Sequence, residues 1–158
     1  MVLNALEAMP MPVYGDGRQI WDWLYVEDHC SGILKVLHEG KPVKQYNIGG
    51  HNECTNLDII KRLCSELEQH SPAADNEAMQ ARGCCSYQVL ITFVEDRLGH
   101  DRRYAVDAGR IRNELRWQPA HRLADGIAKT VKWYIQHSDW CQAVTKGRYE
   151  RQRLGVVS

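Results

Sequence analysis

Trp23 and Tyr25 alternate with smaller or apolar neighbours, and the pattern then changes to a helical rhythm in which Val26, Ile33, Leu34 and Leu37 recur on one face. This predicts a short half-buried strand running directly into a helix that stops at Gly40. Asp28 falls in the first turn of that helix, where free N–H groups and the helix dipole favour a carboxylate. The run Gln45-Tyr46-Asn47-Ile48 reads as a further strand closing on Gly49-Gly50, with Asn47 and the glycine pair shaping the turn. A strand, a helix and a second strand make a βαβ-like unit, on which the rest of the chain is expected to hang.

Upstream, Val2, Leu3 and Leu6 predict a short helix, and Pro10 and Pro12 impose an extended path. Gly15-Asp16-Gly17 is a turn signal leading through Arg18-Gln19-Ile20 into the next strand, which predicts a small hairpin. Downstream, Asn56 is the expected N-cap of a helix whose apolar stripe is Leu57, Ile60, Leu63, Cys64 and Leu67. Residues 71–86 read as a polar irregular loop, and the β-branched and apolar residues 87–94 as a buried strand. Asp107 is expected to cap a short helix through Ile111 and Leu115, which Trp117-Gln118-Pro119 ends. Leu123, Ile127, Val131, Trp133 and Tyr134 predict an amphipathic helix. Ser138-Asp139-Trp140 starts a shorter one, and residues 148–158 are expected to fray.

Composition narrows the class. The 158 residues suit one domain, with 44% hydrophobic and 25% charged content, as in ordinary globular proteins. The zero net charge argues against nucleic acid or an anionic membrane as partner. No apolar run approaches the roughly 20 residues of a membrane span, and the first residues do not read as a signal peptide, so the expected compartment is the cytoplasm. The six cysteines include no Cys-x-x-Cys, and reduced thiols are the simplest reading. His51 and Cys54 have a ligand-like spacing, but no second pair completes a four-ligand site, so no metal is expected.

Chemistry concentrates in Arg97, Arg102 and Arg103, beside Gly99 and His100, in a loop after the predicted strand. Loops at strand ends are where open α/β sheets place ligands, and the guanidinium fork suits a phosphate. The competing reading is a solvated loop whose arginines pair with Asp96 and Asp101. Pro12 and Tyr14 offer flat, rigid surfaces for a planar base, or else are a strand-edge proline and a core tyrosine.

Taken in order, Pro10-Met11-Pro12-Val13-Tyr14-Gly15, the stretch from Asp22 to His29, Tyr46-Asn47-Ile48-Gly49-Gly50, the run from Asp96 to Tyr104, and the segment from Gly126 to Tyr134 resemble one family. It is the dTDP-glucose 4,6-dehydratases, extended short-chain dehydrogenases/reductases, and the likeness is to their C-terminal portion. The resemblance implies an α/β fold, the C-terminal substrate-binding portion of an extended SDR lacking the Gly-rich Rossmann half. Residues 1–149 would form a truncated nucleotide-sugar-binding domain and residues 150–158 a flexible tail. It implies that Arg97 and His100 contact the diphosphate and ribose, that Pro12 and Tyr14 pack on the thymine, and that Asn56 lies near the phosphates.

Two positions depart from the family pattern. Trp21 stands where the family has a diphosphate-binding arginine, and losing such a contact weakens binding by roughly 1.5–3 kcal/mol. Leu98 stands where a proline is usual. The chain also has no Gly-rich strand–turn–helix, and none of its seven tyrosines has a lysine four residues later. The resemblance would place the residues that eliminate water upstream of Met1. The expected protein therefore binds dTDP or a dTDP-sugar weakly, holds no catalytic residue and does not itself bind the NAD of the full-length family. The alternatives are an interaction protein reusing the dehydratase surface and a fragment of an active NAD-dependent enzyme. The apolar face of the Asp28 helix and an open strand edge predict a homo-oligomer.

Overall fold

The computed structural model describes residues 1–145, so the expected fraying tail and the boundary at residue 149 lie outside the described residues. Seven α-helices and five short strands are present in that span. Two small sheets carry the architecture. In one, β1 (Met11–Tyr14) lies parallel to β4 (Ile91–Val94). In the other, β2 (Ile20–Asp22) pairs antiparallel with β3 (Glu53–Thr55) and parallel with β5 (Arg103–Tyr104).

The main core lies where α1 (Val2–Leu6), β1, α3 (Asn56–His70) and α6 (Leu123–Gln136) meet. Met11 and Val13 point inward from β1, while Ile60, Cys64 and Leu67 supply the predicted stripe of α3. Ile127 and Val131 do the same from α6. Burial pushes the Cys64 thiol up to about 11, as for an inert core cysteine. All six cysteines are free. A second, smaller core joins Ala108, Ile111, Leu115 and Trp117 to Leu24, Val36, Tyr46 and Ile48. The short α7 (Ser138–Thr145) follows α6, as the pattern predicts.

Several expectations change. The helix α2 (Val26–Glu39) forms as read, but the strand before it ends at Asp22, and Trp23 to Tyr25 are a connection. Residues 45–48 are not a strand, so the expected βαβ unit is not formed among the described residues. A strand needs a ladder partner, and this segment is held by side chains instead. Arg110 donates to the Gln45 carbonyl, Asn47 Nδ2 to the Asp107 carbonyl, and the Tyr46 hydroxyl to Glu114. The Gly15–Gly17 turn exists, but β1 and β2 enter different sheets, so there is no hairpin.

Thr55, not Asn56, caps α3, its hydroxyl accepting from the Asp58 N–H at 3.1 Å. Residues 71–86 are partly helical, with α4 (Glu77–Ala81) capped by Asn76 and with Ala73 and Met79 fully buried. Of residues 87–94, the first four form a 3-10 turn and only β4 is strand, with Thr92 and Phe93 exposed. Asp107 does accept from the first amide of α5 (Gly109–Leu115), at 2.7 Å, and Arg116 in left-handed geometry ends that helix.

Candidate functional site

The β1 strand alternates its side chains, so Pro12 and Tyr14 share the face opposite Met11 and Val13. Gly15 then turns the chain with φ of 58°, and its N–H bonds the Val94 carbonyl at 2.9 Å. A Cβ at Gly15 would sit 2.7 Å from Asp96 Oδ2, so the turn and the Asp96 loop touch only because this residue is glycine. That contact brings the end of β1 against the end of β4.

Asp96 is the centre of what results. Its carboxylate accepts from His100 Nδ1 at 2.6 Å, from the Arg97 amide at 2.9 Å and from Gln19 Nε2 at 2.9 Å. The hydrogen bond from His100, followed by those from the Arg97 amide and Gln19, lowers its pKa against a smaller opposing effect of burial. Arg97 Nη2 lies 2.9 Å from His100 Nε2, so the ring accepts there and carries its proton on Nδ1. The Arg97 guanidinium also sits 4.9 Å from the Tyr14 ring centroid, and the Tyr14 and His100 rings meet edge-on at 6.1 Å. Tyr14, Arg97 and His100 are thus one cluster.

Asn56 joins it at one remove, since its N–H bonds the Gln19 carbonyl at 3.0 Å and Gln19 holds Asp96. Gln19 is buried, and its Oε1 has no hydrogen-bond partner among the described residues. Pro12 lies on the same strand face as Tyr14.

The other two arginines are spoken for. Arg102 donates to both Asp16 oxygens at 2.9 and 3.1 Å, which holds the Asp16 carboxyl down at about 2. Arg103 forks onto Glu53 at 2.9 and 2.8 Å. Their partners are therefore Asp16 and Glu53, not Asp96 and Asp101. Trp21 completes the surround, 5.4 Å from the Tyr104 ring and 6.4 Å from His100. Asp96, Gln19 and Tyr104 were not singled out from the sequence. The i,i+4 spacing of Asp96 and His100 was the available signal for the first.

A cavity of about 560 Å³ lies elsewhere and shares no residue with this cluster. It opens between the start of α2, α3 and α6, lined mainly by Trp23, Ile59, Leu63, Ile127, Trp133 and Tyr134. At its rim stands a second polar cluster, in which buried Asp28 accepts from the Ala120 and His121 amides at 3.1 Å each and from His121 Nδ1 at 3.0 Å. Asp28 does not serve as a cap for its own helix; it ties α2 to the segment before α6. Burial acts to raise its pKa, but the His121 ring and the two amides together outweigh that and lower it. Among the described residues no three His, Cys, Asp or Glu side chains gather as a metal site requires. No described helix is long and apolar enough to cross a membrane.

Compared with known proteins, residues 1–130 match the family profile of GDP-mannose 4,6 dehydratase. The chain belongs to that dehydratase family. Within it, the dTDP-glucose 4,6-dehydratase of Neisseria meningitidis serogroup B is 48% identical over 156 residues, 99% of this chain and 42% of the relative. The enzyme of the same name from Salmonella typhimurium is 48% identical over 150 residues, 95% of this chain and 39% of the relative. The crystal structure of the Bacillus anthracis dTDP-glucose 4,6-dehydratase, in complex with NAD, superposes with a TM-score of 0.68 at 38% identity, over 88% of this chain and 38% of that one. A UDP-glucuronic acid 4-epimerase from Bacillus cereus shares the fold at 24% identity and a TM-score of 0.63. This dehydratase-family chain therefore corresponds to the C-terminal portion of extended SDR enzymes and spans about 42% of the length of its curated relatives.

Proposed function

We propose that this chain is the nucleotide-sugar-binding portion of a dTDP-glucose 4,6-dehydratase-like protein and that dTDP or a dTDP-sugar seats at Tyr14, Arg97 and His100. The observation that carries this reading is the Arg97 guanidinium. It is held over Tyr14 and beside His100 with no carboxylate ion pair among the described residues, while Arg102 and Arg103 are both neutralised. A guanidinium fixed by an aromatic face and an imidazole is preorganised for a phosphate. Pro12 supplies a rigid surface next to Tyr14, and Asn56 supports Gln19 from below. Calorimetric titration with dTDP tests the reading. Saturable binding that Arg97→Ala removes is the expected result, and no heat at millimolar dTDP would overturn it.

The residues of this chain do not fit NAD. The Gly15–Gly17 turn leads into a strand rather than a helix N-terminus, so its amides make no phosphate cradle. At the other glycine pair, Asp22 Oδ2 already accepts the Gly50 N–H at 3.0 Å, and a carboxylate there repels a diphosphate. With no Tyr-x-x-x-Lys pair in the 158 residues either, hydride chemistry belongs to other parts of the family's fold. The chain alone is therefore read as a binder, not a catalyst.

A second reading rests on α2. Val26, Ile33, Leu34 and Leu37 are 63%, 49%, 54% and 74% exposed, an apolar stripe that a stable monomer rarely presents. It favours self-association or docking on another chain. Sedimentation at high concentration checks it, and a clean monomer would remove it.

A further inference from the structure

We infer that Gln19 is a positioning residue: its buried side-chain amide turns the Asp96 carboxylate, and through Asp96 and His100 it sets where the Arg97 guanidinium points. The inference rests on the nucleotide-site reading above and adds to it a buried residue that touches no ligand.

The two oxygens of Asp96 have separate partners. Oδ1 faces the loop, accepting from the Arg97 amide at 2.9 Å and from His100 Nδ1 at 2.6 Å. Oδ2 faces inward and accepts from Gln19 Nε2 at 2.9 Å, in space that Gly15 leaves free. Holding Oδ2 fixes the rotation of the carboxylate, and with it the direction in which Oδ1 meets the imidazole. Asp96 in turn keeps the His100 proton on Nδ1, which leaves Nε2 to accept from Arg97 at 2.9 Å. The His100 side chain is 4% exposed, so water does not compete for its two nitrogens. At the far end the Arg97 guanidinium stands 4.9 Å from the Tyr14 ring centroid.

The surroundings of Gln19 point to this role rather than to packing. The residue is 2% exposed, and its Oε1 is buried with no hydrogen-bond partner among the described residues. Turning the amide over does not help, because Oε1 would then face the ionised Asp96 and the NH2 would be left without a partner. The backbone is held independently, the Gln19 carbonyl accepting the Asn56 N–H at 3.0 Å. A buried amide with half its capacity unused adds little net stability, and an unbranched apolar side chain fills the same space without the orphan oxygen. What such a replacement removes is the bond to Asp96.

The wild type, Gln19→Met, Asp96→Asn and the double variant, each as the full chain, test this by three measurements. These are the melting midpoint, the His100 tautomer read from its ring nitrogen NMR shifts at pH 8, and calorimetric titration with dTDP. Gln19→Met is expected to melt within about 4 °C of the wild type. Its His100 should change from the Nδ1–H form alone to a mixture of both forms, and dTDP should bind about fivefold more weakly. In the Asp96→Asn background the same substitution should change the affinity less than about twofold, since the path through Asp96 is already cut. A Gln19→Met that melts more than about 4 °C lower, or does not fold, makes Gln19 a packing residue and overturns the inference. So does a His100 that keeps the Nδ1–H form, an unchanged dTDP affinity, or a loss that persists in full in the Asp96→Asn background. If the wild type binds no dTDP, the nucleotide-site reading falls, and the midpoint and tautomer decide the role of Gln19.

Discussion

The molecule holds the same four-part cluster twice. In one copy Asp96 binds His100 Nδ1, Arg97 reaches His100 Nε2, and Arg97 lies over Tyr14. In the other Asp28 binds His121 Nδ1, Lys129 Nζ sits 2.8 Å from His121 Nε2, and Lys129 lies 5.7 Å from the Tyr25 ring centroid. The tyrosine and histidine rings meet edge-on in both. The carboxylate's setting separates them. Asp28 is 2% exposed and satisfies two backbone amides more than ninety residues away, so it is a clamp between α2 and the start of α6. Asp96 has its side chain 41% exposed and accepts only one backbone amide, that of its neighbour Arg97, besides the largely buried His100 ring and the buried Gln19. The same arrangement of carboxylate, histidine, cation and tyrosine thus ties distant segments together where the acceptor is buried against backbone, and leaves its carboxylate partly open to water where it is not.

The sharpest way to break the comparison is the same substitution at both carboxylates. Asp28→Asn replaces one accepting oxygen by an NH2 that must face at least one of three donors in a buried site, and a loss of about 3 kcal/mol in urea unfolding is expected. Asp96→Asn, in water, should leave the urea midpoint close to wild type while weakening dTDP binding on the order of tenfold, as the His100–Arg97 pair loses its anchor. A large midpoint shift at Asp96 would make the two clusters equivalent.

A smaller effect separates backbone from ring at the buried site. His121→Ala removes the Nδ1 bond but keeps both amide bonds, so about 1 kcal/mol is expected in the same unfolding measurement. Acid adds the mildest test. Asp28, Asp96 and Asp16 all have folded pKa values below their ordinary ones, so the stability they contribute is present above about pH 4 and fades as pH falls through the folded values. For Asp16 that value is about 2. Urea midpoints measured from pH 6 down to pH 2 should decline, and Asp28→Asn should flatten the decline more than Asp16→Asn, whose ion pair with Arg102 is exposed.

The helices α2, α3 and α6 were legible because their apolar residues repeat at the helical period, a property of consecutive residues alone. So was the nearness of Arg97 and His100, three positions apart after a strand. Family membership was legible too, from motifs in their order. What the chain could not announce were the pairings. Residues 45–48 have strand composition, yet a strand exists only with a ladder partner, and these residues are held by α5 side chains instead. Trp21 and Tyr104, eighty-three positions apart, become neighbours only because β2 and β5 align. His121 meets Asp28 only because α6 packs against the main core. Local periodicity is written in neighbouring residues; the partner of a carboxylate, a strand or a ring face is decided by which distant segments the core brings together.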